Sequence, residues 1–220
     1  MADTIYAGVA WDIDGTLIDS EQLHFDALRV VCNRYGRPIS SAENIEALGL
    51  SLDQMWIFMK LGEALPISEA IWQEMIFAYY RENLSPSMAR REAVAAVRSL
   101  HSRNVPQVFV TTAERSIAEA NIGAIGLVAL GIPIVAREDV ENTKPNPDPY
   151  LKAAEILGYE AHRLLAIEDT VVGSEAASSA GLYTVVWPND MTKRLDFPAA
   201  NLVVSNLDEI PGLSAMNALN

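Results

Sequence analysis

The chain has 220 residues, half of them hydrophobic, with 29 acidic against 16 basic side chains and a formal charge of −13. That apolar content supports a sizeable buried core and excludes wholesale disorder. The acidic balance argues against nucleic acid and anionic membrane surfaces, which need clustered Lys and Arg, and suits a soluble protein with an acidic cation site.

The first segment, TIYAGVAWD, is apolar with few charges, as a buried parallel strand is. No basic segment precedes it, so no signal peptide is expected. Residues 20 to 82 then read as helical throughout. SEQLHFDALRVVCNRYG sets Leu23, Ala27, Val30 and Val31 at helical spacing and stops at Gly36, Arg37 and Pro38. Its Cys32 is the single cysteine, which excludes an intrachain disulfide and reads as a buried thiol. SLDQMWIFMKLG and ISEAIWQEMIFAYYREN are further amphipathic segments, each with a Ser and an acidic residue near its start. Their aromatic residues, Trp56, Phe58, Trp72, Phe77, Tyr79 and Tyr80, are expected mainly to pack within this helical region.

From Ser87 the pattern changes. REAVAAVRSLHSRN leads to PQVFVT, ERSIAEANIG to IPIVA, DPYLKAAEILG to RLLAIED, and GSEAASSAG to LYTVVW. Helix and strand in alternation predict an α/β fold, a Rossmann-like parallel sheet with helices on both faces. An all-helical insertion at 17–86 would divide a core of 1–16 and 87–220, with DGTLIDS and NLSPSMA as the connections. The longest uncharged run, Ile122 to Ala136, is too short to span a bilayer and contains three glycines and a proline. It reads either as a packed helix-to-strand connection or as an apolar patch for self-association. A cytoplasmic protein, monomeric or weakly dimeric, is expected.

Open parallel sheets bind ligands beyond the carboxyl ends of their strands. There the sequence delivers Asp12 and Asp14, then Thr111 and Thr112, then Lys144 from NTKPNPDP, then Glu168 and Asp169. Residues i and i+2 of an extended chain point the same way, so Asp12 and Asp14 can face one site. Like charges there call for a divalent cation. Hard oxygen donors suit magnesium, and no Cys/His cluster suggests zinc. Asp12, Asp14 and Asp169 are the candidate ligands. Gly15 lets the chain leave the strand in a conformation other residues resist.

DIDGTLIDSE, the strand-end Thr111, TKPNPDPY and AIEDTVVGSEAASSAG resemble, in order, the four motifs of the haloacid dehalogenase-like hydrolase superfamily. The helical insertion resembles the cap of the subgroup with phosphoglycolate phosphatase, sugar phosphatases and β-phosphoglucomutase. The resemblance implies a magnesium-dependent phosphatase acting on a small phosphorylated metabolite, a sugar phosphate or phosphoglycolate. Asp12 would be the nucleophile that forms an aspartyl phosphate. Asp14 would be the general acid and base, with its pKa raised toward working pH. Lys144 would neutralise developing charge, and Asp169, helped by Glu168 directly or through water, would hold magnesium. Thr111 and Thr112 would contact phosphate, and His24 the substrate or a proton in transit. Two alternatives stand beside this reading: a phosphomutase of the β-phosphoglucomutase type, and a non-catalytic binding or regulatory module. LGLSLDQM weighs against the mutase, because it lacks the basic residue that such mutases carry there.

Overall fold

The apolar run at the start of the chain forms β1 (Gly8–Asp12), every residue of it buried. In the computed structural model, which describes residues 6–47, 50–210, 212, 213 and 216, β1 lies near the middle of one parallel sheet. The other strands are β2 (Gln107–Val110), β3 (Ile134–Val135), β4 (Leu164–Glu168), β5 (Tyr183–Val186) and β6 (Leu202–Val203), in the order β3-β2-β1-β4-β5-β6. Asp12 pairs in register with Val110 and Trp11 with Ile167, so the three central strands end level with one another. β6 is an addition to the expected strands. Its two residues carry no periodic signal, and it is held to β5 by bonds from Asn201 N to Thr184 O (2.9 Å) and Val204 N to Val186 O (2.9 Å).

Between β1 and the remainder of the sheet lie α1 (Glu21–Asn33), α2 (Ser41–Glu46), α3 (Leu52–Phe58), α4 (Leu61–Ala64) and α5 (Glu69–Asn83). They bury an apolar cluster of their own, including Ala27, Leu28, Val31, Leu61, Trp72 and Ile76, with Cys32 as a free buried thiol within it. The region is helical but not continuously so. Ser40 and Glu43 close a reciprocal capping box that starts α2. The expected single helix over 51–62 is broken at Lys60, whose φ of 52° is left-handed, and this separates α3 from α4. Two connections join the insertion to the core, and they pair with each other. Asp19 N donates to Met88 O at 2.7 Å, Arg90 N donates to Leu17 O at 3.0 Å, and Ile18 bridges Ala89 in antiparallel fashion.

The sheet is covered on both faces. Alternation along the strands sends Val9, Trp11, Phe109, Leu165 and Ile167 to one face, against α6 (Arg91–Ser102) and α7 (Arg115–Ala124). Ala10, Val108, Val110, Leu164 and Ala166 go to the other, against α8 (Asp148–Leu157) and α9 (Val171–Ser179). Small residues on α9, Ala176 and Ala177, let it approach closely. Within the apolar run from 122 to 136, Ile122, Ile125, Leu127 and Val135 are buried in the core, whereas Val128 is 65% exposed. The segment packs through these residues and exposes Val128. Among the described residues no helix is long and apolar enough to cross a membrane.

Candidate active site

β1 and β4 end side by side, so Asp12 and the pair Glu168–Asp169 emerge at one sheet edge. Lys144 reaches between them from the loop before α8. Its Nζ donates to Asp12 Oδ1 and to Glu168 Oε1, each at 2.6 Å, and lies 3.4 Å from the Val110 carbonyl. Tyr150, on α8, donates its hydroxyl to the same Glu168 oxygen at 2.6 Å. Glu168 Oε2 accepts from the amides of Asp169 and Thr170 and from the Thr170 hydroxyl (3.2–3.4 Å). Asp169 is oriented by Thr16 Oγ1 at 3.0 Å and Asn189 Nδ2 at 2.9 Å. All four charged groups are buried.

Three carboxylates against one ammonium leave this buried cluster with excess negative charge. Burial pushes the Asp12 carboxyl well above its ordinary range, opposed by Lys144 and reinforced by Glu168 and Asp169. Asp169 is raised likewise, by burial first and then by Glu21 and Glu168. Burial works against the charge on Lys144, but Asp12 and Glu168 outweigh it and raise its pKa. The donor set fits a hard divalent cation. Asp12, Glu168 and Asp169 each offer an oxygen, all within 4.8 Å of one another, and Asp12 Oδ2 is buried with no hydrogen-bond partner. The backbone leaves no slack around this group. Gly15 has φ +88°, and a Cβ there would collide with the Asp169 carboxylate; one on Gly173 would collide with that of Glu168. Arg90 stacks on Trp187 at 3.3 Å and donates to the Gly15 carbonyl, fixing the turn after β1.

Asp14 faces the same cavity but is excluded from this group. Its carboxylate accepts from Ser20 Oγ (2.8 Å), Asn121 Nδ2 (2.8 Å) and Thr111 Oγ1 (3.0 Å), and pairs with His24 Nε2 (3.1 Å). A carboxylate only accepts, so the last contact puts a proton on His24 Nε2. Burial acts to raise Asp14, but the bonds and charge of His24 and the hydroxyls of Ser20 and Thr111 prevail, and its pKa is lowered. The expectation of a raised Asp14 is therefore reversed in this arrangement. Its side chain also stands apart from the metal-capable oxygens, where the sequence reading had grouped it. Thr111 bonds Asp14 here, while Thr112 is half-buried on the cavity wall.

Several residues of the site went unmarked in the sequence. Asn121, fully buried on α7, bridges Asp14 and the Tyr80 hydroxyl, which donates to Asn121 Oδ1 at 2.7 Å. A polar amide on an otherwise apolar helix face was the available signal, since buried amides need partners. Tyr150 ends the TKPNPDPY segment that carries Lys144, whereas Asn189 reaches the site only through tertiary packing.

The cavity runs from these strand ends to the helical insertion, an empty space of about 840 Å³ that includes open solvent. Asp12, Asp14, Lys144 and Thr170 form its floor; Leu52, Met55, Ile76 and Phe77 line it from the insertion.

The sequence profile of the haloacid dehalogenase-like hydrolases matches residues 9–187, most of the chain. The chain belongs to that family. The hydrolase is 32% identical, over 185 residues, to the fructose-1-phosphate phosphatase YqaB of Escherichia coli, covering 82% of this chain and 95% of that protein. It is 30% identical to a phosphorylated carbohydrates phosphatase of Thermotoga maritima, covering 89% of this chain and 93% of that protein. Its fold matches that of CbbY from Rhodobacter sphaeroides, solved as a variant with xylulose-(1,5)bisphosphate, at a TM-score of 0.85 and 22% identity, over 97% of the hydrolase and 100% of that chain.

Proposed function

We propose that this hydrolase is a magnesium-dependent phosphatase of small phosphorylated carbohydrates, working through an aspartyl phosphate. The observation that carries the reading is the buried Asp12. One of its oxygens is bonded to Lys144, and the other is without a partner beside Asp169 and Glu168. The named activities of the two sequence relatives support the substrate class.

Asp12 attacks phosphorus, forming the Asp12–phosphorus bond as the bond to the sugar oxygen breaks. Dividing the displacement into two steps lowers each barrier. Lys144 stays charged beside the nucleophile and offsets charge accumulating on the phosphoryl oxygens. Asp12, Glu168 and Asp169 would hold magnesium, which supplies further neutralisation of that group. Protonated Asp14 gives its proton to the leaving sugar oxygen. As a carboxylate it then takes a proton from the water that hydrolyses the aspartyl phosphate. The first role requires Asp14 to gain a proton and shed donors; the four-donor arrangement suits the second. The helical insertion acts as a cap that limits access of bulk water.

The test is phosphate release from p-nitrophenyl phosphate and fructose 1-phosphate, with magnesium and with a chelator. Both activities should require the metal. Asp12→Asn should lower kcat by about three orders of magnitude or more, the scale expected for loss of a nucleophile. Full activity of Asp12→Asn would overturn the reading.

A further inference from the structure

The walls of the cavity are largely apolar but carry carboxyl groups, as its floor does. Besides the catalytic cluster, its polar lining includes Glu21, Asn44, Ser51 and Glu114. Among the described lining residues Lys144 is the sole lysine or arginine, and Asp12 and Glu168 already engage it at 2.6 Å each. His24 is the other basic side chain there, and it is committed to Asp14. A second anionic group on a substrate would therefore lose its hydration without meeting a free cation, a costly transfer.

Glu21 has the complementary property. It opens α1, is 7% exposed, lines the cavity, and its Oε2 is buried without a hydrogen-bond partner. Buried polar atoms are nearly always satisfied in the working state of a protein, by protein, water or ligand. A carboxylate accepts from a hydroxyl, and a carboxylic acid can both accept and donate, so a sugar hydroxyl satisfies Glu21 in either form. A phosphate or carboxylate on the same carbon chain would instead lose its hydration where no free cation replaces it.

We propose that the site takes monophosphates of uncharged, hydroxylated alcohols, that Glu21 bonds a hydroxyl of the leaving alcohol, and that substrates with a second anionic group are excluded. This rests on the phosphatase reading above. Glu21 acts on selectivity and not on the bond that breaks.

The test compares kcat/KM of the full chain with magnesium on fructose 1-phosphate, fructose 1,6-bisphosphate, 2-phosphoglycolate and p-nitrophenyl phosphate. Fructose 1-phosphate should exceed the bisphosphate and phosphoglycolate by at least about tenfold, the scale of a specific substrate contact. Glu21→Ala should lower the ratio of fructose 1-phosphate to p-nitrophenyl phosphate by about tenfold or more, chiefly through KM. Glu21→Gln, which still bonds a hydroxyl, should recover part of that ratio. Equal or better turnover of the doubly anionic substrates overturns the inference, and so does an unchanged ratio in Glu21→Ala, the result of a purely structural role. The wild-type comparison decides even where a variant folds poorly. Absence of magnesium-dependent release from p-nitrophenyl phosphate would sink the phosphatase reading itself, and this inference with it.

Discussion

Lys144 is the residue on which the electrostatics of the site turn, because it is the one ammonium among three buried carboxylates. Removing one partner of a buried ion pair strands the other, at about 3–5 kcal/mol. Lys144→Met should therefore lose stability on that scale in chemical denaturation, and phosphatase activity with it. A variant as stable as the wild type would show that the carboxylates are compensated elsewhere. The sequence exposed this residue and its partners because each stands at a strand end or in a distinctive loop, where the chemistry has a local signature. Asn121 and Asn189 have none. Each reaches the cluster from a helix or loop distant in sequence, and a single sequence does not encode which helix face meets which strand end.

Elements are joined through the site by a short polar chain: Tyr80 on α5, Asn121 on α7, then Asp14 after β1. Asn121→Ala would leave both neighbours short of a partner, and a stability loss of about 1–3 kcal/mol is expected, with reduced kcat. Tyr80→Phe should cost less, and a double-mutant cycle should show the two changes to be non-additive. Additive effects would show that the chain carries no coupling. Within the insertion, Ser40→Ala removes the cap of α2 and should cost about 1 kcal/mol. There the bonds from Arg37 and Ser40 hold Glu43 down at about 2 from 4.5. A depressed acid stabilises the fold above its unfolded pKa, and that contribution fades as pH falls from 4.5 toward about 2. The difference between wild type and Ser40→Ala, followed by thermal melts, should shrink over that window. Element existence was legible where periodicity was long, as in α1, α5 and α6. It was not for α2, the break at Lys60, or β6, which depend on a few bonds to neighbours and not on a repeating pattern.

For the whole molecule, excess negative charge at the junction of sheet and insertion means that a divalent cation bound there would add to the stability of the fold. A ligand that binds only the native state stabilises by about 2.7 kcal/mol at a hundred times its dissociation constant. Magnesium should raise Tm of the wild type, and Asp169→Asn should diminish the rise; an unchanged Tm at saturating magnesium would contradict the ligand set. Beyond the site, α3 meets the core side through the Asp53–Arg137 ion pair at 3.2 Å. The paired connections at Leu17–Asp19 and Met88–Arg90 have a mechanical consequence. Two connections bonded side by side tie the helices to the core more firmly than two separate ones would. Because Gly15 N also bonds Ile18 O at 2.7 Å, the same connections are tied to the turn beside Asp14. On the reading proposed above, a displacement of the helices would therefore be felt first at Asp14.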